Sequence, residues 1–350
     1  MRLNRMIQIS GNAPLDFPAD IFFAILWQND DDGISIPILH PYCGEWGEPL
    51  SVEAVDLDLT EMPKTIDMVW LSVFEKKFYS IEADFPDRKI FQLLTEKSPK
   101  TGEYIYDGIV VGMAPLGRVA IWVHGIKKSV LVSWLSGVEV NVEMSDFAPM
   151  NPNATVESIC YSYIQKCPHM KKNLQQSFVV DYSIISKIMR QYCYRYDVLF
   201  SHWNKESEEW EGSEHSNQTL LDYIEESLYD GTHDKMHGDN LTEYHNAGIP
   251  YRLAIQWHIA TKRYEMFVWF DRDSLIGLFD DFYTYRHYEN MDLVIMIDTE
   301  EKKFQIKISN NKANYFVELS SSMQQMIIFK SGFEYYRSSN YKLPSGSWIW

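Results

Sequence analysis

The sequence predicts an α+β fold, mainly antiparallel β-sheets with a few packed helices and the option of two related sheet domains. Three observations carry this. Apolar runs of strand length recur along all 350 residues, glycines and short charged stretches punctuate them at turn spacing, and aromatics reach 15%, a richness that suits pleated, half-buried surfaces. The length fits one large or two ordinary domains. The boundary is expected near residue 170, with an antiparallel β-rich domain over 1–170 and an α+β domain over 171–350.

In chain order, residues 22–27 and 68–73 are continuous apolar runs, as in buried strands. Tyr79, Ile81, Ala83 and Phe85 alternate with polar residues, and Glu75, Lys76 and Lys77 form the turn before them, so 67–85 reads as a hairpin. A short helix follows Pro86, with Ile90, Phe91 and Leu94 on its apolar side. Runs at 109–113, 119–123, 130–135 and 138–142, separated by Gly117, Gly125 and Gly137, predict an antiparallel meander. Residues 145–177 read as loop. Phe178, Tyr182, Ile185, Met189 and Tyr192 recur at helical spacing and predict a helix over 177–193, before an alternating strand at 194–200. Leu220, Leu221, Ile224 and Leu228 predict a second helix over 218–229 with Asp222, Glu225 and Glu226 on its wet face and Gly231 as its stop. Strands follow at 253–259 and 266–270, a helix around 272–285, a hairpin from 293–297 to 304–308, and a strand at 315–319. DMVWLSVFEKKFYSIE at 67–82 echoes DLVIMIDTEEKKFQIKI at 292–308, which fits either a duplicated sheet unit or the general likeness of hairpins.

The chain carries 49 acidic and 32 basic residues, a net charge of −17. That disfavours nucleic acid and anionic membrane surfaces, which need a positive face, and favours a basic partner. No apolar run is long enough to span a membrane, and residues 1–18 lack a signal-peptide core, so the cytoplasm is the expected compartment. Cys43, Cys160, Cys167 and Cys193 match no zinc spacing and are expected to be buried thiols in a reducing environment.

No nucleophile elbow, phosphate loop or dinucleotide fingerprint occurs, and no catalytic residue, metal site or cofactor is assigned. His233 and His237 stand four apart, as in a helical metal clasp, but Gly231 and Gly238 flank them and no glutamate follows the first histidine; a solvated polar loop is the plainer reading. The paired acids Asp280–Asp281 and the run at 30–32 fit solvated loops, or an acid and a base across a cleft. The segment 201–250 is more distinctive, with twelve acidic and two basic residues mixed with aromatics. Trp203, Glu206, Glu208, Glu209, Trp210, Glu211, Glu214, Asp222, Glu225, Glu226 and Asp230 are the candidate partner-binding residues. Rings supply anchoring area and carboxylates supply steering toward a basic protein; the alternative is a soluble surface element whose aromatics face the core.

Three pieces, IDMVWLSVFEKKFYSIEADFP, YDGIVVGMAPLGRVAIWVHG and VLVSWLSGVEVNV, bring Trp70, Ser72, Glu75, Lys77, Phe78 and Tyr79 into one pattern and Val111, Gly112, Ala114, Pro115, Gly117, Val119 and Trp122 into another. With Tyr194, Arg195 and Tyr196 further on, these resemble the bacterial domain-of-unknown-function family 2931 (DUF2931), over roughly residues 17–200. The resemblance implies no reaction. Family members often stand beside antibacterial secretion genes, which implies an immunity protein that binds a co-encoded type VI toxin. Many members look like lipoproteins, and this chain lacks their lipobox. The competing expectation is a ligand-binding or hydrolytic enzyme with a sheet-lined aromatic cleft.

Overall fold

The computed structural model describes residues 4–15, 17–126, 128–166, 183–211, 219–237, 241, 243–284, 290–299, 303–310, 315–318, 324–330 and 334–337. It is mainly β with several sheets and a few helices, as the sequence predicts at that level. The chain divides into two compact units, Met1–Asp181 with Asp230–Thr232 and Pro344–Trp350, and Tyr182–Tyr229 with His233–Leu343.

The first unit holds β1 (Asn4–Asn12), β2 (Ala19–Trp27), β3 (Gly33–Ser35), β4 (Ser51–Asp58), β5 (Thr65–Ser72), β6 (Lys77–Asp84), α1 (Asp87–Thr95), β7 (Tyr106–Ala114), β8 (Arg118–Gly125), β9 (Lys128–Ser136), β10 (Val138–Val140), α2 (Met144–Phe147) and α3 (Val156–Lys166). One set of strands runs in the order β4-β1-β7-β8-β9, and a five-stranded sheet in the order β10-β6-β5-β2-β3. Ile7 and Ile9 from the first set, Leu26, Ile66 and Met68 from the second, and Ile90 and Leu94 of α1 join one buried core. The other face of the five-stranded sheet is apolar too. There Leu71, Val73 and Phe78 pack against Cys160, Tyr163 and Ile164 of α3.

The 67–85 hairpin and the helix after Pro86 are present, and Lys76 takes the left-handed conformation (φ 56°) in the hairpin turn. Two expectations are corrected. Residues 145–177 are not all loop, because α2 and α3 form over the apolar sheet face and bury it. β10 does not continue the meander β7-β8-β9; it leaves to pair with β6. Cys160 is fully buried, and burial pushes its thiol up to about 12. Alkylation of the native protein at pH 8 should therefore spare Cys160 and label it only after denaturation, as peptide mapping would read. Cys43 and Cys193 are half-buried, and Cys167 lies outside the described residues.

The second unit holds α4 (Ser183–Ile188), β11 (Tyr192–Phe200), β12 (His202–Asn204), β13 (Glu209–Glu211), β14 (Thr219–Leu228), β15 (His233–His237), β16 (His245–Ala247), β17 (Pro250–Ile259), β18 (Lys262–Phe270), α5 (Arg272–Thr284), β19 (Met291–Asp298), β20 (Lys303–Asn310), β21 (Tyr315–Glu318), β22 (Gln324–Lys330) and β23 (Glu334–Arg337). A five-stranded sheet runs β16-β11-β19-β20-β21, another set of strands runs β15-β14-β17-β18-β22-β23, and β12 and β13 form a separate pair.

The helix expected over 218–229 is a strand, and its misreading has a physical cause. The ladder between β14 and β17 breaks register between Leu221 and Tyr223, so Asp222 is an extra, bulged residue. The bulge puts Leu221 and Ile224, three apart, on one face and so imitates helical spacing. Beyond it Ile224 and Glu226 are buried with the half-buried Glu225 between them, up to a second register break where Ser227 and Leu228 are both buried, while Leu220 is 61% exposed. The loop expected at His233 and His237 is strand β15. Of the helix expected over 177–193, α4 occupies 183–188, Tyr192 already belongs to β11, and the start lies outside the described residues. The 293–308 hairpin is β19–β20. It follows a helix, whereas β5–β6 precedes one, so the sequence echo does not mark equivalent hairpins.

Candidate functional site: an acidic, aromatic hairpin

Strands β12 and β13 form a tight hairpin in which Trp203 lies directly opposite Trp210. Cross-strand neighbours on one face stand close enough for rings to touch. The two indoles meet edge to face, with centroids 5.5 Å apart and planes at 68°. The turn is fixed by Asn204, whose Oδ1 accepts from the backbone N–H groups of Glu206 at 2.8 Å and Ser207 at 3.2 Å. Glu208 closes the turn in the left-handed conformation, with φ 55°. The base is held by the buried Asp298 at the end of β19, which accepts from the backbone N–H of Trp203 at 2.7 Å and lies 3.1 Å from His202.

This brings Glu206, Glu208, Glu209 and Glu211 together, all exposed, around a half-buried tryptophan pair. Lys205 is the sole cation of the hairpin. A rigid aromatic pair ringed by like charges that stay in water is unsuited to proton transfer and suited to contact with a cationic protein surface.

The other expected site residues lie elsewhere. Glu214 is outside the described residues. Asp222 sits at the β14 bulge, 2.9 Å from His258 Nδ1. Glu225 is half-buried on β14, within 3.5 Å of His233 and 3.8 Å of Arg252. Asp230 is buried and groups with the first unit, where its carbonyl accepts from the Trp122 indole at 2.9 Å. Glu226 is 2% exposed and points into the second unit. Asp222, Glu225 and Glu226 therefore do not form the wet face of a helix, and the buried Glu226 and Asp230 drop out of the candidate surface.

Glu226 belongs to a buried polar cluster that the sequence does not announce. Its Oε2 accepts from Tyr196 at 2.6 Å and lies 3.1 Å from the Tyr194 hydroxyl, whose single proton is shared with the Gly248 carbonyl at 3.0 Å. Its Oε1 lies 3.6 Å from His245 Nε2. Burial works against charge on His245, but the Glu226 carboxylate beside it outweighs burial, and the His245 pKa is raised. A raised histidine pKa stabilises fully below the unfolded value, about 6.5, and the benefit fades as pH climbs through the folded value. Opening of β11 and β16, read by hydrogen exchange corrected for intrinsic rates, should become easier from pH 6 to 9. His245→Gln should flatten that dependence.

In the first unit a second buried carboxylate, Asp20, takes the Tyr163 hydroxyl and His40 Nδ1, the latter at 2.6 Å. Burial raises its pKa, and the hydrogen bonds from Tyr163 and His40 oppose that rise. The cluster ties α3 to β2, which gives Asp20 a packing role. His233 and His237 also face protein partners, Ser227 Oγ at 2.8 Å and the Asp222 carbonyl at 3.2 Å. No group of three or more metal-binding side chains occurs among the described residues. Nor is any helix among them long and apolar enough to cross a membrane.

Fold and site define a mainly β, multi-sheet protein whose most distinctive exposed feature is an acidic, aromatic hairpin. The family described as "Protein of unknown function (DUF2931)" matches residues 10–178, the stretch that holds the first unit's sheets apart from the start of β1. No curated protein and no solved structure matches the chain.

Proposed function

We propose that the protein is an immunity protein, one that binds a co-encoded antibacterial toxin of the type VI kind and covers its active site. The carrying observation is the β12–β13 hairpin, with four exposed glutamates around a paired Trp203 and Trp210. An inhibitor needs a complementary surface and no chemistry of its own. The net charge of −17 suits a toxin with a basic face, a nuclease being the natural example, and the cytoplasm is where such a toxin is met. Indole rings in the centre and carboxylates at the rim match the anatomy of tight interfaces, in which aromatic anchors hold and charges steer. The test is titration of the purified full chain against the product of the neighbouring toxin gene, with toxin activity as the readout. Stoichiometric inhibition is expected; full toxin activity at saturating protein would rule the proposal out.

A further inference from the structure

We infer that the second unit is a second copy of the family domain found at 10–178, and that the acidic hairpin is an addition to that copy alone. The strand orders coincide. β4-β1-β7-β8-β9 in the first unit answers to β16-β11-β19-β20-β21 in the second, and β3-β2-β5-β6-β10 answers to β15-β14-β17-β18-β22. Each unit has one parallel ladder among the described strands, β1 with β7 and β11 with β19, at the same place in its order.

Strand order alone recurs in unrelated sheets, but register does not. Ala19 pairs with Ser72 and Trp27 with Thr65 across β2 and β5; Thr219 pairs with Ile259 and Ser227 with Arg252 across β14 and β17. Both ladders bulge at the fourth residue of the first strand, Phe22 and Asp222. The next hairpin strands carry the same aromatic pair, Trp70 opposite Tyr79 with centroids 5.7 Å apart and Trp257 opposite Tyr264 at 5.6 Å. A buried phenylalanine stands six residues after the tyrosine in each, Phe85 just past β6 and Phe270 at the end of β18, and a helix follows. Counting from that phenylalanine, Ile90 and Leu94 fall where Leu275 and Phe279 fall, and all four are buried. A bulge, a pairing register and a helix-face pattern that agree position by position have no common cause in general sheet geometry. Descent from one domain accounts for all of them.

The copies differ most clearly between their first and second matching strands. The connector from β1 to β2 is residues 13–18, whereas that from β11 to β14 is residues 201–218 and contains the hairpin. The first copy joins the same two strands in a third of the length, so the fold does not require the hairpin. The functional half of this inference rests on the reading of the hairpin as a toxin-binding surface.

One variant of the full chain tests both halves separately. Residues 201–218 are replaced by a six-residue Gly/Ser connector, the length that suffices in the first copy. Equivalent copies predict that hydrogen-exchange protection of β11, β14, β17 and β19 stays within about threefold of the parent, since closure entropy changes only slowly with connector length. Binding to the neighbouring toxin should weaken by more than about a hundredfold. Lost protection in those strands would overturn the equivalence. A companion with an eighteen-residue Gly/Ser connector separates length from sequence: if it folds where the short one does not, the strand ends are not as close as in the first copy and the equivalence fails. A folded short variant that still binds at parental affinity would leave the equivalence standing and remove the hairpin from the binding surface.

Discussion

Reversing Glu206, Glu208, Glu209 and Glu211 to lysine is expected to slow association with the proposed toxin by about tenfold to a hundredfold at low ionic strength, the range for an inverted steering field. All four side chains are exposed; the reversal gives up the bond from Asn204 Nδ2 to Glu211 at 2.5 Å, while Asn204 Oδ1 still holds the turn and Asp298 the base, so the fold should survive the change. The effect should shrink as salt rises, because at physiological ionic strength exposed charges are screened beyond about 8 Å. Trp203→Ala should act differently. It removes one ring of the anchor pair, so dissociation accelerates while association at low salt is nearly preserved, at a cost of about 2 kcal/mol if the pair is a hot spot. Stopped-flow association at two salt concentrations, with dissociation followed by displacement, separates the two effects.

The second large effect concerns Glu226. The first copy has Leu26 at the matching position: Leu26 pairs with the buried Ile66, and Glu226 with the buried Leu253. Restoring the aliphatic residue by Glu226→Leu should nevertheless destabilise the second unit by about 2–4 kcal/mol, because it removes the carboxylate that accepts from the buried hydroxyls of Tyr196 and Tyr194. Adding Tyr194→Phe and Tyr196→Phe should recover most of the loss, since removing all the polar partners together leaves no buried orphan. Hydrogen exchange resolves the effect by unit. Protection in β11 and β14 should fall in the single variant and return in the triple, with β2 and β5 unchanged throughout. A single variant as protected as the parent would show that the cluster contributes no net stability.

The readable parts of this sequence were those where one periodicity ran unbroken. α1 and α5 each bury one face at helical spacing, and the β5–β6 hairpin stands out as a continuous apolar run, a charged turn and an alternating strand. β14 did not, because a single bulged residue at Asp222 turned a period of two into an apparent period of three or four. α3 was missed because its buried stripe is Cys160, Tyr163 and Ile164, a mixed set that gains meaning only against the apolar sheet face it covers. The candidate site was half legible. The acidic, aromatic composition marked the segment, but the pairing of Trp203 with Trp210 and the burial of Glu226 and Asp230 are tertiary facts. The kinship of the two units was hidden for a similar reason. The EKKF likeness joins hairpins at different places in the topology, while the true counterparts, β5–β6 and β17–β18, share a tryptophan–tyrosine pair and a register and little else in sequence.

The most direct measurement is affinity capture from the native cells with the full-length protein and its four-lysine hairpin variant side by side, quantified by mass spectrometry. The account predicts one basic toxin, encoded next to this gene, recovered at moderate salt on the parent and depleted at least tenfold on the variant. Equal recovery on both proteins, or recovery of no protein partner on either, would contradict it.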